Sequence, residues 1–237
     1  MSIVVVSGYR RCGTSLMMHA LYSGMKGGVA LFSPDFEEFN PNIDGYQPNP
    51  NGLWEVGFRQ YMSPPFLRGM PDGSLVKILY DGLPNLPKGD YKIIFMTRDV
   101  DEIEASLARS DECLTEHAKR SGKIRQSQDA IDDKTEFLPF CSFRDYDQVE
   151  IDHVLGIMDT RKDVDLIKVD FADVIRCPTN AFRKIRSTPL GRTRIDIDVA
   201  KAAAVIEPKL YRSKVKEHGY NTSRDDRTRT HSINSAQ

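Results

Sequence analysis

Ser2-Ile3-Val4-Val5-Val6-Ser7, then Gly8-Tyr9-Arg10-Arg11-Cys12-Gly13, then Thr14-Ser15-Leu16-Met17: three patterns follow one another at the start of the chain. The first is a short β-branched run and reads as a strand buried on both faces, as in a parallel sheet. The second is a glycine-bounded loop. The third opens a helix over about Thr14 to Gly24, with Leu16, Met17, Ala20 and Leu21 on one face and Gly24 as a C-terminal stop.

Outward from there the same alternation repeats. Leu75 to Tyr80 and Lys92 to Thr97 read as two more buried strands, and Val164 to Val169 as a fourth strand. Asp99 to Ser110 reads as a helix, with Asp99 as N-cap and Glu102 completing a capping box. A short helix is expected near Trp54, and a late one over Val199 to Ile206. Four strands separated by helices predict an α/β fold: a three-layer, doubly wound parallel sheet. Residues 1–221 are read as one domain. Within it, residues 111–160 are polar and helical and are expected to form a helical cap over the carboxyl edge of the sheet. Residues 222–237 lack apolar periodicity and are expected to be disordered.

Composition narrows the function classes. The chain has 237 residues, 40% hydrophobic and 28% charged, enough for a sizeable core. Lys plus Arg is 33 against 34 Asp plus Glu, a net charge of -1, so nothing global points to nucleic acid or an anionic membrane. No apolar run is long enough to span a bilayer, and Met1 is not followed by a signal-peptide core. Cys12, Cys113, Cys141 and Cys177 are scattered with no CxxC pair. The expectation is therefore a reduced, cytoplasmic protein without a disulfide framework or structural zinc.

A strand, a glycine-bounded loop and a helix in that order make an anion site, because free backbone N–H groups and the helix dipole both favour negative charge. Gly8-x4-Gly13-Thr14-Ser15 has the glycine spacing of a Walker A loop, but Thr14 stands where its lysine would be. The positive charge lies inside the loop, at Arg10 and Arg11. The first 34 residues contain no Asp or Glu, so this lobe is locally cationic. A nucleoside triphosphatase normally needs the missing lysine.

Ser7-Gly8-Tyr9-Arg10-Arg11-Cys12-Gly13-Thr14-Ser15-Leu16 resembles the 5′-phosphosulfate loop of the P-loop sulfotransferases, and bacterial sulfotransferase-like proteins in particular. Those enzymes use 3′-phosphoadenosine 5′-phosphosulfate (PAPS) and release the desulfated nucleotide PAP. Arg11 falls on the family's Lys/Arg position, and Gly13, Thr14 and Ser15 match; Cys12 replaces a serine and Arg10 a proline. The resemblance implies a P-loop NTPase-like sheet and two binding elements. Arg10, Arg11, Cys12, Gly13, Thr14 and Ser15 would hold the 5′-phosphosulfate. An arginine ending a later strand and a serine eight residues on would hold the 3′-phosphate; here these are Arg98 and Ser106. On the residues alone, Arg98 could instead pair with the carboxylates of the following turn, Asp99, Asp101, Glu102 and Glu104. The likeness continues at Val169-Asp170-Phe171-Ala172-Asp173-Val174-Ile175, where Phe171 takes a tyrosine position. It ends at Glu207-Pro208-Lys209-Leu210-Tyr211-Arg212, where Arg212 would close over the nucleotide.

Sulfuryl transfer needs cations on developing charge, in-line positioning and a base for the acceptor proton. Arg11 is the expected cation near the sulfuryl group. Lys77 sits in a buried strand, which is costly unless it is paired or functional. Its alternative role is a strand-edge lysine whose head reaches solvent. Family members often carry a histidine base two residues after that lysine; here the position is Leu79. Glu55, after Pro48-Asn49-Pro50-Asn51-Gly52-Leu53-Trp54, is the expected base, with Asp81 in reserve. His19 reads as packing. Arg183, Lys184, Arg186, Arg192 and Arg194 form a basic stretch, either a solvated helix face or an anion contact. The acceptor is expected to be a small-molecule or glycan hydroxyl, and no metal is expected. The alternatives are a P-loop nucleotide-dependent phosphotransferase and a catalytically silent nucleotide-binding module.

Overall fold

The computed structural model describes residues 3–27, 29–32, 40–56, 63–120, 145–187 and 195–210. Its centre is a five-stranded, wholly parallel sheet with helices on both sides. The strands are β1 (Ile3–Gly8), β2 (Val29–Leu31), β3 (Ser74–Lys77), β4 (Tyr91–Thr97) and β5 (Val164–Asp170), in the order β2-β3-β1-β4-β5. The helices are α1 (Thr14–Gly24), α2 (Pro64–Arg68), α3 (Val100–Arg120), α4 (Asp145–Thr160), α5 (Phe171–Arg176), α6 (Pro178–Ser187) and α7 (Val199–Ala204).

All six residues of β1 are buried, which is why the run is continuously apolar rather than alternating. Val6 pairs with Lys77 of β3 on one side, and Gly8 with Met96 of β4 on the other. The chain leaves β1 in one direction to build β2 and β3, then crosses back to build β4 and β5. β1 is therefore the point where the strand order reverses, and ligands of open α/β sheets bind outside the carboxyl ends of strands at such a point. The loop after β1 occupies that place.

α1 covers the sheet with Met17, Met18, Ala20 and Leu21, all fully buried. Its last residue meets α7 closely: a Cβ on Gly24 would lie 2.8 Å from the Ala202 Cβ. Asp198 caps α7, accepting from the Ala200 and Lys201 N–H groups at 3.1 Å. α4 buries Ile151, Val154, Leu155 and Met158 in the common core and packs on β5 and on a 3-10 turn, Tyr80–Asn85. Among the described residues no helix is long and apolar enough to cross a membrane.

Several sequence expectations shift. β2 is a fifth strand that the apolar pattern missed. It is three residues long, lies at the sheet edge and leaves Val29 exposed, so it carries no buried run. β3 ends at Lys77 instead of Tyr80, because Tyr80 opens the 3-10 turn, where Pro84 cannot donate to a ladder. No helix starts at Trp54, whose φ is 56°; residues 57–62 lie outside the described residues. The helix after Asp99 runs on to Arg120, so residues 111–120 continue α3. Residues 121–144, the middle of the expected cap, lie outside the described residues, as do Cys141, Arg192, Arg194, Arg212 and the tail 222–237.

Candidate functional site

The loop after β1 is built by close approaches. Gly8 has φ 145°, and a Cβ there would lie 2.6 Å from the Met96 carbonyl oxygen of β4. Gly13 has φ 87°, and a Cβ there would lie 2.3 Å from the Phe171 ring. Arg11 itself adopts φ 66°, a left-handed conformation that costs about 1–2 kcal/mol outside glycine. It is held there by Arg98, whose Nη1 donates to the Arg11 carbonyl at 2.8 Å. The Arg98 guanidinium lies over the Phe171 ring at 4.3 Å from its centre. Phe171 thus packs against the loop glycine and under the arginine that fixes the loop backbone.

Gly13 is the N-cap of α1 without a side-chain cap, and no acidic residue stands in the first turn. The first helical bond runs from Met17 N–H to the Gly13 carbonyl at 3.0 Å. The N–H groups of Thr14, Ser15 and Leu16 accordingly have no intrahelical acceptor, which leaves the positive end of the helix dipole to an anion.

Arg11 reaches two other segments. Its Nε donates to the Ser106 hydroxyl at 3.0 Å, and its Nη2 to the Pro48 carbonyl at 3.1 Å. Ser106 lies on α3, directly after β4. Arg11, Arg98 and Ser106, which belong to two distant parts of the sequence, form one hydrogen-bonded group. Arg98 also donates from Nε to Glu102 at 3.0 Å, with only 7% and 10% of the two side chains exposed. The pairing with the following acidic turn is therefore formed.

A second group lies on the other side of the loop. The Lys77 ammonium contacts the Ser15 hydroxyl at 2.9 Å, the Leu53 carbonyl and the Glu55 carboxylate at 2.9 Å. Ser15 in turn donates to the Leu53 carbonyl at 2.9 Å. The Lys77 side chain is 2% exposed, so its head does not reach solvent; three oxygens compensate its burial. Glu55 and Ser15 are thus brought to the same ammonium, and Glu55 is 28% exposed.

Residues 40–56 make this possible. The Asn40 side chain both donates to the Asn49 carbonyl (2.7 Å) and accepts from its N–H (2.8 Å). Asp44 holds Arg120 of α3 at 2.8 Å. Trp54 donates to the Asn51 carbonyl at 2.6 Å and packs among His19, Tyr22 and Phe32. The loop character expected over 33–53 holds where it is described, and its carbonyls at Pro48 and Leu53 are the ones the site uses. His19 is a packing residue, and burial lowers its imidazole below the usual value.

Other expected residues stand apart. Arg10 is exposed. Cys12 is buried, and burial pushes its thiol up to about 12 despite the nearby Arg98. It lines a cavity of about 110 Å³ with Arg98, Ile103, Leu155 and Lys168, far below the roughly 300 Å³ at which small-molecule pockets begin. Thr14 is buried at the start of α1. Asp81 lies on the 3-10 turn beside the loop, where Tyr9 and Tyr80 have ring centres 5.7 Å apart. Its Oδ1 is buried without a hydrogen bond among the described residues. Burial raises its carboxyl above the usual range, with Arg10 opposing. Arg183, Lys184 and Arg186 form the exposed face of α6, while Ala181, Phe182 and Ile185 are buried.

Sequence reasoning missed Asp111 on α3. Its Oδ1 is likewise buried without a hydrogen bond among the described residues, and burial raises its carboxyl against Arg11 and Arg10. Only the length of α3, read too short from the sequence, could have placed it there.

No protein-family model and no curated protein sequence matches the chain.

Proposed function

We propose that the protein is a sulfotransferase of the P-loop kind, moving a sulfuryl group from a nucleotide phosphosulfate to a hydroxyl acceptor; PAPS is the donor that the sequence resemblance implies. One observation carries this reading. Arg11 and Ser106, picked out by the resemblance from elements 95 residues apart, meet at 3.0 Å, and Arg98 holds the Arg11 carbonyl. Neighbouring parallel strands bring the two elements together, and the resemblance accounts for an arginine and a serine standing there.

The residues suit the chemistry. The open N–H groups at the start of α1 favour the 5′-phosphate. Arg11 supplies a planar cation for the charge that develops as the sulfur–oxygen bond breaks. Lys77 places a second cation at Ser15. Glu55 is the acceptor-side base in this reading, and to serve it must exchange Lys77 for the acceptor hydroxyl.

The same pair favours the silent nucleotide-binding module as a second reading, because it keeps Glu55 engaged. A Mg²⁺-dependent phosphotransferase fits less well: the Ser15 hydroxyl, which would ligate the metal, already faces the Lys77 ammonium.

Thermal unfolding with PAP, and separately with ATP and Mg²⁺, tests the reading. PAP at about a hundred times its Kd stabilises by about 2.7 kcal/mol. Arg11→Asn, which tolerates the left-handed backbone, reduces that shift. Transfer of radiolabelled sulfuryl from PAPS to a panel of alcohols and phenols separates the enzyme from the silent module. A response only to ATP with Mg²⁺ would sink the sulfotransferase reading.

A further inference from the structure

The two phosphate-binding positions differ in what they already hold. At the start of α1 there is no acidic residue and no side-chain cap. At the start of α3 the Asp99 carboxylate already accepts from the N–H groups of Asp101 and Glu102, at 3.0 and 3.3 Å. Arg98, which should meet a 3′-phosphate, has its Nε on Glu102 at 3.0 Å, its Nη1 on the Arg11 carbonyl at 2.8 Å and its face on Phe171. Ser106, its expected companion, accepts from Arg11.

The pair is nearly buried, so the attraction between Arg98 and Glu102 is little screened by solvent. A 3′-phosphate there must take the guanidinium from a carboxylate and then sit beside it. Like charges that close in a partly dry site repel strongly. Asp101 on the same first turn, and Glu104 just beyond it, add to the unfavourable field. The 5′ side of the site therefore fits a phosphosulfate, while on the 3′ side the repulsion from Glu102 offsets the attraction of Arg98, so a 3′-phosphate adds no net affinity.

We propose that Glu102 stands in for the 3′-phosphate, so that the donor is a nucleoside 5′-phosphosulfate whose 3′ position the protein does not read. Glu102 is then the residue that sets donor specificity. The inference rests on the sulfotransferase reading and narrows it: PAPS remains a substrate, but adenosine 5′-phosphosulfate serves as well.

The test is calorimetric titration of the full chain with two defined probes, 5′-AMP and PAP, which differ only in the 3′-phosphate. The wild type is expected to bind the two within about threefold of each other. Glu102→Gln keeps the shape and removes the charge that competes with a phosphate for Arg98. It is expected to tighten PAP relative to AMP by about tenfold, the scale of one charge-assisted hydrogen bond. Comparing the two nucleotides on the same variant cancels any loss of folded protein. Wild-type protein that prefers PAP by about tenfold or more would overturn the assignment while leaving the sulfotransferase reading intact. So would a Glu102→Gln variant with an unchanged ratio. Binding of neither nucleotide would remove the parent reading, and this inference with it.

Discussion

Arg98 and Arg161 stand at opposite ends of the sheet, each paired with a carboxylate a few residues on, and they do different work. Arg161, just before β5, grips Asp163 through Nε at 3.1 Å and Nη2 at 2.7 Å. It also donates to the carbonyls of Leu86 and Pro87, both at 2.7 Å, while Asp163 accepts from the Gly89 N–H at 2.9 Å. These bonds close the turn that leads into β4, and they satisfy backbone groups that would otherwise face away from any ladder. Arg98, just after β4, spends its bonds on the loop after β1 and on Glu102. The amino end is a clamp between local partners. The carboxyl end is a junction whose partners arrive from three separate elements, the arrangement a binding site needs if a ligand is to replace one of them.

The largest expected effect is at that junction. Gly13→Ala places a methyl group 2.3 Å from the Phe171 ring on a backbone with φ 87°. The left-handed penalty and the overpacking together cost about 2–5 kcal/mol, readable as a fall in the urea midpoint. Adding Phe171→Leu should return part of that loss. If Gly13→Ala is neutral, the loop is not pinned as described.

The clamp comes next. Arg161 holds the Asp163 carboxyl well below its usual value of 3.8, chiefly by hydrogen bonding. A depressed folded value means that the carboxylate's contribution is complete above its unfolded value and is lost as pH falls through the folded one. Asp163→Asn is therefore expected to cost about 1–2 kcal/mol at neutral pH. Its deficit against the wild type should shrink as the pH falls below about 4 in urea titrations. A deficit that does not shrink between about pH 5 and pH 2 would mean that the ion pair is not its source.

The smallest effect is Ser106→Ala, about 1 kcal/mol for one hydrogen bond to a cation. Its thermal shift should add to that of Asp163→Asn within about 0.5 kcal/mol, because the sites share no partner. Strong coupling between them would break the contrast between the two ends.

Much of the fold could be read from the chain because strands buried on both faces announce themselves: β1 and β4 carry the apolar runs of residues 3–6 and 93–96 that a covered parallel sheet can use, while β5, at the sheet edge, alternates buried Ile167 and Val169 with exposed Lys168 and Asp170. β2 could not be read, because an edge strand of three residues buries too little to leave a pattern. The loop after β1 was legible through its glycines and arginines. The Lys77–Ser15–Glu55 group was legible only as separate candidates. What joins them is the backbone carbonyl of Leu53, and a carbonyl carries no signature in the sequence. Lys92 was missed for a related reason. It is fully buried in β4 beside Asp165 on the neighbouring strand, and burial lowers its ammonium below the usual value. Only the strand register reveals that neighbour.

Cys12 has a practical consequence. Its thiol sits inside the loop wall and is pushed up to about 12, and Cys113 is also buried, with its thiol raised by burial. Cys177, at the turn before α6, is exposed. Thiolate is the form that reacts with alkylating reagents. A fluorophore maleimide at neutral pH should therefore attach to Cys177 first among these three, giving an optical reporter on the protein while the loop that carries Arg11 keeps its native sulfur.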